Sequence, residues 1–192
     1  MKTIKSYHKE HLEKTRKIKQ IVFGILAILI IISIFIFSKM YKAIMNPNVS
    51  IEENYSLYIY SEDDFETIKN KLYSDNIIVN RKSFEWLAKK LDYPKYIKSG
   101  HYIIKDGINN NQLLNTLRAG NQTPVKFTFN NIRTIEQLAS RIDEQLEMDS
   151  LDFIYAIQKH DILKTMGFDK YNYASLFIPN TYELYWNIDP DE

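Results

Sequence analysis

Cysteine is absent from this 192-residue chain, which removes disulfides, thiolate metal sites and thiol catalysis together. It leaves the compartment open, because a fold without disulfides survives in oxidising and reducing surroundings alike. Glycine and proline are scarce, five of each, and they form neither a glycine-rich phosphate loop nor a Gly-x-Ser-x-Gly nucleophile elbow. Net charge is also small. The 25 Lys+Arg against 24 Asp+Glu give +1, which excludes a globally basic nucleic-acid binder, so no nucleic-acid partner is expected.

That total hides a split. Residues 1–42 hold nine of the 25 basic residues and only Glu10 and Glu13 of the acids, leaving 16 basic and 22 acidic residues, a net of −6, for 43–192. Between the basic blocks, residues 21–38 contain no charge at all, and only Gly24, Ser33 and Ser38 interrupt the apolar run. Eighteen residues at about 1.5 Å each reach roughly 27 Å, close to a bilayer core. A cleavable signal peptide would have a shorter basic start, a shorter apolar core and a small-x-small site. Here Lys39-Met40-Tyr41-Lys42 follows, so an uncleaved anchor over 21–41 is expected. Seven positive charges precede the span and two follow it closely, which predicts a cytoplasmic basic segment 1–20 touching anionic lipid, and a bulk outside the cytoplasmic membrane.

Residues 42–55, with Pro47, three Asn and two Glu, read as a stalk. Beyond it the pattern is α+β. Residues 56–60 read as a strand, Ser61 as a helix cap, and Phe65, Ile68 and Leu72 as one helical face. The same block recurs further on. Val125, Phe127 and Phe129 alternate, Asn130-Asn131 turns, and Thr134 with Gln137 forms a capping box ahead of Leu138, Ile142 and Leu146. Between the copies lie a short apolar run at 77–79, a helix carrying Phe84, Leu87 and Leu91, a strand over 101–105, and a helix with Leu113, Leu114 and Leu117 closed by Gly120. Residues 150–166 read as helix capped by Ser150.

Titratable clusters offer little. His8 and His11 stand at i, i+3 among lysines that disfavour a cation, and His101 and His160 have no evident second ligand, so neither metal nor cofactor is expected. Glu52-Glu53 and Glu62-Asp63-Asp64 read as solvated charge and helix N-terminal acids rather than calcium ligands. Three sequon matches, at Asn48, Asn54 and Asn121, are expected by chance in a chain this rich in Asn. The tail Phe177-Ile178-Pro179-Asn180-Thr181-Tyr182-Glu183-Leu184-Tyr185-Trp186 carries two readings. Its rings and single carboxylate suit a sugar-binding cleft with Asn180, Tyr182, Glu183 and Trp186 as substrate-binding residues, and from chemistry alone they suit the aromatic edge of a core better.

From about residue 55 onward the chain resembles the endolytic murein transglycosylase family (MltG, YceG-like). The motifs are Ile97-Lys98-Ser99-Gly100-His101-Tyr102, Leu113-Leu114-x-x-Leu117-x-x-Gly120, the stretch VKFTFNNIRTIEQLA, and Phe177-Ile178-Pro179-Asn180-Thr181-Tyr182. The resemblance implies a LysM-like module over 56–123 and the beginning of a catalytic domain over 124–192. It also implies cleavage of nascent peptidoglycan glycan strands to 1,6-anhydro-N-acetylmuramic acid ends, with cell-wall synthases as candidate partners. One Glu is thought to protonate the glycosidic oxygen while the sugar's own 6-hydroxyl attacks the anomeric carbon. This chain departs from the pattern at Asn130-Asn131-Ile132, where many members have Pro-Glu-Gly, and at Ala174-Ser175, where many have Glu-Gly. The family's catalytic Glu follows the Pro-x-Thr-Tyr motif and is expected beyond Glu192, so the chain is expected to be a fragment, inactive alone, with a tail less ordered than 56–146. A non-catalytic, membrane-tethered peptidoglycan-binding scaffold is the alternative.

Overall fold

The structure is a computed structural model that describes residues 4–159 and 161–190, leaving aside the side chains of 4–15 and 18. His160 and Glu192 lie outside the described residues, as do the side chains of His8 and His11. The chain forms two compact units, Met1–Asn46 and Pro47–Glu192.

The first unit is one helix, α1, Ile4–Met45. Its segment Lys19–Met45 has a mean hydropathy of 3.1 and none of it is buried, which makes it long and apolar enough to cross a membrane. No polar stripe interrupts it, as expected of a helix whose every side faces hydrocarbon.

The second unit mixes helices and strands, and it builds one arrangement twice. In the first repeat, β1 (Tyr55–Ile59) leads into α2 (Phe65–Ser74) and α3 (Arg81–Lys90), and β2 (Gly100–Ile104) returns antiparallel to β1 with Leu57 opposite Tyr102. Helix α4 (Asn110–Ala119) follows. In the second repeat, β3 (Val125–Phe129) leads into α5 (Ile135–Gln145), α6 (Ser150–Lys159) and the short α7 (Asp161–Thr165). Strand β4 (Asn180–Leu184) then pairs antiparallel with β3, Phe127 opposite Tyr182. Each sheet has two strands. Each keeps its apolar residues on the face toward its helices: Leu57 and Ile59 with Ile68, Leu72 and Phe84, then Phe127 and Phe129 with Leu138, Ile142 and Phe153.

Three expectations change. Ser61 is not the cap of α2; Asp64 is, its side chain accepting from the Thr67 amide at 2.7 Å. Asp149 rather than Ser150 caps α6, accepting from the amides of Leu151 and Asp152 at 2.6 and 2.9 Å. In each case a nearby carboxylate, three residues after Ser61 and one before Ser150, bonds the free helix amides instead, and its charge strengthens the bond. The expected stalk is the third. Helix α1 runs to Met45, and Pro47–Val49 are built into the fold, Pro47 bridging Asn109 and Val49 bridging Ile78. Buried Asn48 donates to Asn80 O (3.1 Å) and Asn110 Oδ1 (2.6 Å) and accepts from the Asn80 amide (2.7 Å). A side chain that satisfies three partners from two helix starts is a structural clamp.

The outer edge of β3 is also occupied. The Gln145 side chain accepts from the Thr128 amide at 3.1 Å and donates to the Thr128 carbonyl at 3.0 Å.

Candidate functional site

The tail that was expected to be loose is a strand. Alternation along Thr181-Tyr182-Glu183-Leu184 puts Tyr182 and Leu184 inward and Thr181 and Glu183 outward, as a half-buried strand requires. The four candidate residues therefore separate into four places. Tyr182 faces the helices, its ring stacked on Phe129 at 5.9 Å and its hydroxyl donating to the Ile178 carbonyl at 2.6 Å. Glu183 is exposed on the opposite face, in register with Lys126. Asn180 is exposed at the start of β4, where its side chain accepts from the Thr181 amide at 2.8 Å. Trp186 leaves the sheet and is 5% exposed.

Trp186 joins the two repeats. Its ring meets Tyr58 and Tyr60 of the first repeat edge-on, centroids 5.1 and 4.8 Å apart, and its carbonyl accepts from the Glu147 amide at 2.8 Å. The Glu147 carboxylate accepts from the Ser61 amide at 2.5 Å, and Asn187 donates to the Ser99 hydroxyl at 2.9 Å. Behind this layer Tyr58 stacks on buried His101 at 4.6 Å. The His101 Nδ1 lies 3.0 Å from the Thr123 carbonyl, which fixes the proton on Nδ1 and leaves a buried Nε2 without a hydrogen-bond partner among the described residues. Lys71, paired with Asp63, stands over the Tyr60 ring at 4.8 Å. Tyr58 and Tyr60 keep an outer surface, being 38% and 43% exposed. This aromatic seam offers a stacking surface of the kind sugar rings use. The residues that make it with Trp186 are Tyr58 and Tyr60, which the sequence reading did not single out. Their alternation with the buried Leu57 and Ile59 was the available signal.

The second feature is an apolar cleft of about 380 Å³ inside the second repeat. Phe127, Phe129, Ile142, Phe153, Tyr182 and Leu184 are among the residues that line it. Among the described residues Asp189 is the one charged residue in its lining. Two carboxyls away from the cleft are held below the ordinary range, Asp64 by the Thr67 amide and hydroxyl, and Glu136 chiefly by its own amide and then by Thr134. A general acid needs the opposite shift. Tyr102 is pushed up to about 12 by burial, and Tyr55 to about 12 by burial and then by the hydrogen-bonded Asp75.

No curated protein matches the chain. Among solved structures, a crystal structure of a yceG-like protein from Listeria monocytogenes is similar at 18% identity and a TM-score of 0.45 over 70% of this chain. The chain spans about half the length of that relative, covering 48% of it. The model of the YceG-like family matches residues 57–192, from the first residue of the buried face of β1 through both repeats, and on that match the chain belongs to the YceG-like family.

Proposed function

We propose that the protein is a membrane-anchored member of the peptidoglycan lytic transglycosylases, and that the residues described here hold the glycan strand rather than protonate it. The family match over 57–192 carries the reading. Three features support it. The β1-α2-α3-β2 order with an antiparallel two-stranded sheet suits the LysM-like module that the resemblance implies. The Trp186, Tyr58 and Tyr60 seam gives an aromatic surface for sugar rings. The helix Lys19–Met45 is long and apolar enough to cross a membrane and follows a basic segment, which supports an anchor with an inside N-terminus.

The reaction requires one carboxylic acid within hydrogen-bond reach of the glycosidic oxygen, after which the sugar's 6-hydroxyl closes on the anomeric carbon. Among the described residues Glu183 stands on an open strand face in register with Lys126, remote in kind from an enclosed acid site, so it is assigned to strand contact. Purified peptidoglycan sacculi mixed with the full chain in lipid nanodiscs test both halves of the assignment. The chain is expected to co-sediment with sacculi and to release no 1,6-anhydro ends detectable by mass spectrometry. Failure to co-sediment refutes the holding role, and anhydro ends above background refute the assignment of Glu183, with Glu183→Gln as the deciding variant. A reporter active only in the cytoplasm, fused after Glu192, is expected to be silent.

A further inference from the structure

Charge is segregated within the second unit. Residues 43–80 hold 2 basic and 7 acidic residues, 81–126 hold 9 and 3, and 127–192 hold 5 and 12, so the three segments carry −5, +6 and −7. The positive charge of a region whose total is −6 is thus gathered in one stretch. That stretch builds α3, β2 and α4.

Two of these cations share a pocket. A cavity of about 390 Å³ is lined by Tyr96, Lys98, Asn115, Arg118 and Ala119, within the roughly 300–1,000 Å³ of small-ligand sites. Tyr96 follows the 3-10 helix Tyr93–Lys95, Lys98 precedes β2, and the other three stand in the second half of α4. Packing restrains both charges. The Arg118 guanidinium lies over the exposed Tyr96 ring, 5.2 Å from its centroid. The Lys98 stem runs past Gly120, at φ +74, where a Cβ would come within 2.7 Å of Lys98 Cδ. Among the described residues neither cation is in an ion pair, and no carboxylate lines the pocket. The carbonyl end of α4 carries about half a negative charge, less than the two cations bring. A positive remainder is left at the cavity.

Asn115 narrows the choice of anion. Its amide nitrogen donates to Asn111 Oδ1 at 3.0 Å, and its own side-chain carbonyl has no partner among the described residues. An acceptor beside two cations suits a ligand that carries a donor next to its negative charge. The end of a peptide has both, the terminal carboxylate and the last amide N–H, whereas a phosphate diester has no such donor. Tyr96 and Ala119 add apolar surface for a small side chain.

We propose that this pocket binds the free carboxylate end of a peptide with small side chains. Arg118 and Lys98 take the carboxylate, Asn115 accepts from the last peptide N–H, and Tyr96 with Ala119 packs the last side chain. The pocket shares no residue with the aromatic seam, so the proposal stands apart from the glycan-holding role given to that seam.

The test uses the full chain in nanodiscs of zwitterionic lipid. The probe is N-acetyl-alanyl-alanine in its L,L and D,D forms, titrated and read by saturation-transfer NMR of the alanine methyls. At least one form is expected to bind saturably. Its affinity is expected to fall about tenfold or more when the terminal carboxylate is amidated, and likewise in Arg118→Gln and in Lys98→Gln. Both side chains are exposed, so folding is not at stake. Lys95→Gln is the control: this lysine is exposed, pairs with Asp92 at 3.0 Å and lies outside the lining, and its loss is expected to change affinity by less than about twofold. No saturable binding of either form, equal binding of acid and amide, or an equal loss in Lys95→Gln overturns the proposal. So does displacement of the peptide by inorganic phosphate at equal or lower concentration, which would make this a plain oxyanion site. Loss of peptide binding when phosphatidylglycerol is added to the nanodisc also overturns it, since the patch would then sit on lipid head groups.

Discussion

Trp186→Ala separates a joint from a ligand contact. The ring is 5% exposed and meets Tyr58 and Tyr60 edge-on at 5.1 and 4.8 Å. Removing a buried Trp costs about 3–5 kcal/mol, a sum that already contains part of the two aromatic contacts, each about 0.5–1.5 kcal/mol. Tyr58 and Tyr60 are 38% and 43% exposed, so water reaches the vacated space and the tyrosines relax into it. That argues for the lower end, about 3 kcal/mol. With a urea dependence of about 2 kcal/mol per molar, the unfolding midpoint falls by roughly 1.5 M. The assay is urea unfolding of the full chain in lipid nanodiscs, read by fluorescence of Trp86, the other of the two tryptophans, which lies in α3 of the first repeat. Trp186→Phe keeps one ring against the tyrosines and loses about half as much. A midpoint within about 0.3 M of the parent, with sacculus binding reduced severalfold, would refute the reasoning, because Trp186 would then act on the glycan and the seam would not depend on it.

Gly100→Ala is expected to lower stability by roughly 1–3 kcal/mol by the same urea assay, because Gly100 has φ +140 and a Cβ there would overlap the Gln122 side chain. No loss would mean that β2 shifts freely against β1. The alkaline limb carries a third expectation. Burial raises Tyr102 from 10.0 to about 12, so the unfolded chain ionises first, and stability present below pH 10 falls as the pH rises from about 10 to 12. Tyr102→Phe is expected to flatten that fall, measured as the urea midpoint against pH, and an unchanged slope would assign the fall to other tyrosines.

Local chemistry was legible in the sequence wherever it is local in space. The spacing of Phe65, Ile68 and Leu72, the closure of α4 by Gly120 at φ 74, and the alternation through Val125, Phe127 and Phe129 all appear as read. The recurrence was legible in part, since pattern carries it and identity hardly does. Its second half was missed because Pro179 and the crowding of rings hid the two-residue period of β4. The candidate site was scattered by the same period: adjacent Tyr182 and Glu183 must face opposite ways on a strand. The joint could not be read at all. It depends on Glu147 meeting Ser61 across 86 positions and Asn187 meeting Ser99 across 88, contacts that no local pattern encodes.

The Gln145 amide has a consequence for how this protein lives among its neighbours. A strand edge is an open invitation to any extended peptide. By taking both the donor and the acceptor of Thr128, Gln145 fills the hydrogen bonds a third strand would need first. The second repeat is thereby turned away from association along its β3 edge, and whatever engages it must come to a face or a cleft, where side chains choose the partner.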